Sequence, residues 1–165
     1  MEKHVISVLV ENHSGVLSRI SGLFSRRGYN IDSLSVGETE DPIVSRMTIV
    51  TQADEQIQEQ IKKQLNKLIE VIRIVELEEE TAVYRELALI KVGADKASRA
   101  EIIEIANIFR AHIVDVAGKS LIVEATGDQG KISALTSMLE PYGIKEVIRT
   151  GLTALERGDK QLKKN

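Results

Sequence analysis

The feature that most constrains this chain is an order of hydrophobic periodicities that occurs twice. His4 to Val10 is β-rich and apolar on both faces, as a covered strand is. From Gly15 onward, Val16, Leu17, Ile20, Leu23 and Phe24 recur at helical spacing; Arg26, Arg27 and Gly28 then supply positive charge and a stop at the helix C-terminus. YNIDSLSVGE from Tyr29 and VSRMTIVT from Val44 are strand-like runs. Thr39, Glu40, Asp41 and Pro42 between them suit an antiparallel hairpin. Ile57, Ile61, Leu65 and Leu68 form a second helical stripe whose other face carries Glu, Gln and Lys, and VIRIVEL, Val71 to Leu77, closes the unit as a strand.

Strand, helix, strand, strand, helix, strand is the order of a ferredoxin-like unit, a four-stranded antiparallel sheet with both helices on one face. Glu78 to Thr81 is a charged connector, after which the order returns. A strand at Val83 to Val92 precedes a helix carrying Ile102, Ile105, Ala106 and Phe109, with strands at Ile113 to Ala117 and Leu121 to Ala125. Ile132, Leu135 and Leu139 mark the next helix, TGDQGK from Thr126 its entry, Pro141 and Gly143 its end, and Lys145 to Arg149 the last strand. Ser98 and Glu101 have the spacing of a capping box. The predicted class is α+β, with one module over residues 1–78 and another over 82–165. Modules this small leave sheet edges and apolar faces to cover, which closed two-fold pairing into a homodimer would do.

Composition removes several function classes. The 22 basic and 25 acidic residues are mixed along the whole length, with a net charge of −3, so no block of charge points to nucleic acid or an anionic membrane. Aromatics are 3% with no tryptophan, a poor supply of stacking surfaces. The apolar run Val5 to Val10 is too short to span a bilayer. With no cysteine there are no disulfides, thiolate nucleophiles or cysteine zinc sites, and a reducing cytoplasm is the natural compartment.

A search for catalytic chemistry assigns no catalytic residue and no metal ligand. His4, His13 and His112 stand alone, without H-x-H or H-E-x-x-H spacing, and Asp32, Asp41 and Asp115 read as turn or strand-edge carboxylates. What remains is the junction ENHSGVLSRISGLF, Glu11 to Phe24, where a strand hands over to an amphipathic helix. Two readings of it stay open. Free backbone N–H groups at the helix start would bind a ligand's carboxylate, while the side-chain carbonyl of Asn12 or Asn30 would accept from an α-ammonium; a free amino acid carries both groups. Alternatively, Asn12 or Ser14 caps the helix and Gly15 relieves crowding.

NHSGVLSRISGLFSRRGYNIDSLSV, Asn12 to Val36, with DPIVSRMTIVT at Asp41 to Thr51, resembles the N-terminal ACT domain of the small regulatory subunit of acetohydroxyacid (acetolactate) synthase. The likeness is looser in the second module and returns in RTG at Arg149 and ALERGDK at Ala154. The resemblance implies a non-catalytic subunit that binds and activates the large catalytic subunit and carries feedback inhibition by a branched-chain amino acid, most often valine. Thiamine diphosphate, magnesium and FAD would then belong to that partner, and none to this chain. The family places the effector between two ACT domains of a homodimer, which by position assigns Asn12, His13, Ser14, Gly15, Val16 and Leu17 from one chain and Asn30 and Ile31 from the other. A free-standing amino-acid sensor with another target is the alternative, and an unrecognised small enzyme a third reading.

Overall fold

The computed structural model describes residues 1–164. The first unit opens with β1 (Glu2–Glu11), α1 (Val16–Arg26), β2 (Ser33–Glu38), β3 (Val44–Ala53), α2 (Glu55–Asn66) and β4 (Val71–Leu77). Its sheet has the order β2-β3-β1-β4, with every pairing antiparallel. β1 is central and paired on both sides, and six successive residues, Val5 to Val10, are buried, so both of its faces are covered. Ile6, Val8 and Val10 pack with Val16, Ile20, Leu23 and Phe24 of α1 and Ile61 and Leu65 of α2. By strand alternation Val5, Ser7 and Leu9 face the other way, yet they too are buried.

The end of α1 shows how local sequence fixes a boundary. Gly28 takes φ 70°, Gly28 N donates to Ser25 O and Tyr29 N to Phe24 O, the paired bonds of a Schellman stop. The Phe24 and Tyr29 rings meet edge to face with centroids 6.2 Å apart, supplying the apolar contact that usually accompanies it. Tyr29, Asn30 and Ile31 are therefore loop, and β2 starts at Ser33 rather than at Tyr29 as the β-rich run suggests.

The second unit holds β5 (Ala82–Gly93), α3 (Arg99–Ile108), β6 (His112–Val116), β7 (Ser120–Gly127), α4 (Gln129–Leu139) and β8 (Ile144–Arg149), in the antiparallel order β6-β7-β5-β8. Its core joins Ala88, Ile90 and Val92 to Ile102, Ala106, Leu121, Val123, Ile132, Leu135 and Leu139. Asp128 caps α4, accepting from Lys131 N at 2.8 Å, and a short 3-10 turn over Glu140–Tyr142 precedes Gly143 at φ 90°. The capping box does not form. Ser98 makes no side-chain cap bond, and Glu101 accepts instead from the Tyr142 hydroxyl at 2.8 Å.

Two compact units result, Met1–Val83 with the described residues from Leu152 on, and Tyr84–Gly151. The expected second module ran to residue 165. The difference arises because Leu152 is held by β2 side chains and Arg157 N donates to Thr81 O at 2.9 Å. This returning segment contains a strand absent from the sequence reading, β9 (Thr153–Glu156).

Candidate functional site

At the β1–α1 junction the chain leaves the sheet at Glu11 and enters the helix at Val16 through Gly15, whose φ of 90° and ψ of −16° are left-handed. That conformation explains the glycine; a Cβ there would meet nothing within 4 Å, so crowding does not. No side chain caps α1, which sets aside capping by Asn12 or Ser14. The first-turn N–H groups of a helix have no intrahelical partner, so this end presents donors and the positive end of the helix dipole.

Asn12 is committed elsewhere. Its Nδ2 donates to Pro42 O at 2.8 Å and, at 3.4 Å, to Glu38 Oε2, tying the junction to the β2–β3 hairpin, and its backbone N donates to Ile43 O. With both amide hydrogens directed at the hairpin, its Oδ1 is the atom left to accept from an ammonium group. His13 is exposed, with Nδ1 3.1 Å from Ser14 O and Nε2 2.8 Å from Glu11 Oε2. Both partners are acceptors, so the doubly protonated ring satisfies both, and these bonds, that to Ser14 O foremost, raise its pKa. Ser14 and Gly15 are exposed, Val16 is buried in the core, and Leu17 is 45% exposed beside them.

Two residues that sequence reasoning missed hold this junction. Glu70 accepts from Glu11 N through its backbone O at 2.9 Å, while its carboxylate takes Arg19 Nη1 at 2.7 Å; Arg19 N in turn donates to Gly15 O at 3.0 Å. Both flanks of the loop are thus tied to one residue of the α2–β4 connection. No local pattern marks a pair 51 positions apart.

Asn30 and Ile31 lie elsewhere in the unit. Asn30 Nδ2 donates to Asp32 Oδ1 at 2.8 Å, Asn30 O accepts from the Thr51 hydroxyl at 2.7 Å, and Ile31 packs partly against the core. Asn12 stands beside Ile43 at the start of β3 and Asn30 beside Thr51 near its end. Along β3 that places the two groups roughly 20 Å apart or more, at about 3.3 Å per residue. One chain does not bring them together.

Among the described residues no group of three or more His, Cys, Asp or Glu is gathered as metal ligands would be, and no helix is long and apolar enough to cross a membrane. Comparison with known proteins is decisive about kinship. Residues 6–73 match the family described as the AHAS small subunit-like ACT domain, and residues 85–158 the small subunit of acetolactate synthase. A curated acetolactate synthase small subunit from Mycobacterium bovis is 57% identical over 155 residues, covering 94% of this chain and 92% of the relative. The chain belongs to the acetolactate synthase small subunit family. A probable member from Archaeoglobus fulgidus is 55% identical over 159 residues, 96% of this chain and 99% of that one. The crystal structure of the Thermotoga maritima acetolactate synthase small subunit superposes with a TM-score of 0.90 at 40% identity, covering 97% of this chain and 100% of that one. The two ferredoxin-like modules and the ACT domain read from the sequence are thereby established.

Proposed function

We propose that this chain is the regulatory subunit of an acetolactate synthase, non-catalytic by itself, that activates a large catalytic subunit and imposes feedback inhibition by a branched-chain amino acid, valine foremost. Thiamine diphosphate, magnesium and FAD belong to the catalytic subunit in this reading, and the complex works in the cytoplasm. The observation that carries it is the open β1–α1 junction in a chain of this family: an uncapped helix start for a carboxylate, with Asn12 Oδ1 left for an ammonium group.

The effector site is shared between two chains. Asn12 and Asn30 stand at opposite ends of β3, and β2 is an edge of its sheet. Two-fold antiparallel pairing of two such edges sets the start of β2 of one chain level with the β1–α1 junction of the other, closing the edge as well. Asn12 to Leu17 then face Asn30 and Ile31 of the second copy.

Calorimetry with valine, leucine and isoleucine tests this. Asn12→Ala and Asn30→Ala each weaken binding by about 1–3 kcal/mol, since each leaves a ligand group unpaired. Mixing the two variants and letting the dimers exchange restores binding, because a heterodimer concentrates both changes in one composite site and leaves the other intact. A flat trace from exchanged dimers rules the shared site out. Acetolactate formation from pyruvate by the pure chain, supplied with thiamine diphosphate and magnesium, contradicts the non-catalytic role.

A further inference from the structure

The segment that returns to the first unit is hydrogen-bonded to β2 at Leu152. Leu152 N donates to Ser33 Oγ at 3.0 Å, and Ser35 Oγ donates to Leu152 O at 2.9 Å. The Leu152 residue is 1% exposed. Both backbone groups of one buried residue are therefore held by two hydroxyls of β2. Alternation puts Ser33 and Ser35 on the same face, while Leu34 between them packs into the helix-side core.

Position makes this clip more than packing. Within its own chain β2 has one ladder, to β3, so the clip is the second restraint that the chain itself places on it. Asn30 and Ile31 lie immediately upstream, joined to β2 by Asp32, whose N donates to Val50 O. Any shift that a ligand imposes at Asn30 and Ile31 enters β2 at Ser33. On the other side of Leu152 the chain is fixed at once: Thr150 N donates to Leu87 O and its Oγ1 accepts from Leu87 N at 3.1 Å. Only Gly151, at φ 84°, stands between the two anchored residues.

We propose that Ser33 and Ser35 are positioning residues for feedback: through Leu152 they couple occupancy of the Asn30–Ile31 half-site to the chain beyond Gly151, and so to the response of the catalytic partner. The inference rests on the effector reading above. It assigns the clip to coupling rather than to ligand contact, because both hydroxyl oxygens are engaged by the backbone of Leu152. A ligand shifts an equilibrium only through interactions that differ between the two states, and a clip made in one state and strained in the other is such an interaction.

The full chain reconstituted with its large subunit provides the test, with valine as the probe. In the Ser33→Ala/Ser35→Ala variant the Kd for valine, from calorimetry on the chain, stays within about threefold of wild type, while the valine concentration for half-inhibition rises about tenfold or more. Ser33→Thr/Ser35→Thr keeps both hydroxyls and restores inhibition. Ser33→Ala alone removes one of the two bonds and gives the same separation at smaller amplitude, which covers a double variant too unstable to purify. Wild-type inhibition in the alanine pair overturns the proposal, as does a loss of binding and inhibition in equal proportion. A wild-type chain that neither binds a branched-chain amino acid nor transmits inhibition defeats the effector reading itself, and this proposal with it.

Discussion

Where its first strand meets its first helix, the first unit places Gly15 in a left-handed turn and leaves the helix start uncapped. The second unit fills the same position with ADKAS. Asp95 Oδ1 accepts from Ala97 N at 2.9 Å, from Ser98 N at 2.8 Å and from the Ser98 hydroxyl at 3.0 Å, while Asp95 N donates to Ser98 Oγ at 3.0 Å. One junction keeps its donors for something else and the other consumes them with its own acid. The two modules share a topology, so an open helix start is no requirement of the fold. It is a property of the NHSG sequence, and only the first unit has it.

The outer faces differ as well. In the first unit Val5, Leu9, Val50 and Leu77 are nearly inaccessible although they lie opposite the helices or at the strand ends, and Leu152 and Ala154 of the returning segment are buried with that unit. Leu152→Ala therefore has the largest expected effect on stability, about 2–5 kcal/mol for a fully buried leucine. Thermal unfolding followed by amide exchange assigns the loss: exchange rises first in β2 and β1, and a loss confined to β5–β8 contradicts the placement of the segment in the first unit.

Closing the open junction comes next. Gly15→Asp puts a side chain on a residue at φ 90° and a carboxylate where, in the proposed function, the effector's own carboxylate approaches. Binding falls at least a hundredfold, about 2.7 kcal/mol, while activation of the large subunit persists. Full valine sensitivity in this variant would move the site away from the junction. Because nothing lies within 4 Å of the added Cβ, backbone strain and charge account for the effect, and Gly15→Asn, which tolerates the left-handed region, retains more binding than Gly15→Asp.

The converse change opens the closed junction. Asp95→Ala removes the acceptor of three bonds and frees the start of α3, lowering the melting temperature of the second unit without altering valine affinity. Gain of amino-acid binding at the second unit would show that an open helix start suffices by itself; unchanged binding shows that Asn12 and the partner residues are needed too.

These contrasts were unequally legible in the sequence. Element order followed from periodicity, and the stop after α1 followed from Arg26, Arg27 and Gly28, because both are local signals. The clip between Ser33, Ser35 and Leu152 was hidden, since residues 117 and 119 positions apart share no period. Glu70 and Arg19 escaped for the same reason. At the second junction S-x-x-E suggested a capping box, and no local rule ranks it below D-x-x-S; only the Tyr142 hydroxyl, which takes Glu101 away, decides. At Gly15 the reading that glycine relieves crowding does not hold: its backbone angle, not the space around it, demands glycine.

The smallest expected effect is on pH, where the two junctions respond in opposite directions. His13 has its pKa raised above the ordinary 6.5, by its bond to Ser14 O and then by that to Glu11, with Glu70 adding a weaker attraction. Its contribution is complete below the unfolded value and is lost as pH rises through the folded one. Asp95 has its pKa lowered from 3.8 by accepting from Ser98, so its contribution is present above the unfolded value and is lost as pH falls through the folded one. Near neutrality only the first junction titrates. Below its pKa the His13 imidazolium lies beside Glu11 and adds positive charge to the helix start proposed to face the effector carboxylate; above it that charge is gone, and the three carboxylates of Glu11, Glu38 and Glu70 around the loop are offset by Arg19 alone. Valine affinity therefore falls modestly as pH rises above 6.5, where a histidine of raised pKa gives up its proton. Solvent exposure and salt screening keep the change to a fewfold. Calorimetry across that range on wild type and His13→Gln checks it, with proton NMR of the His13 ring supplying the pKa. The glutamine variant gives a flatter profile. An equal slope in both proteins would assign the pH response to another group and leave His13 a bystander at the open junction.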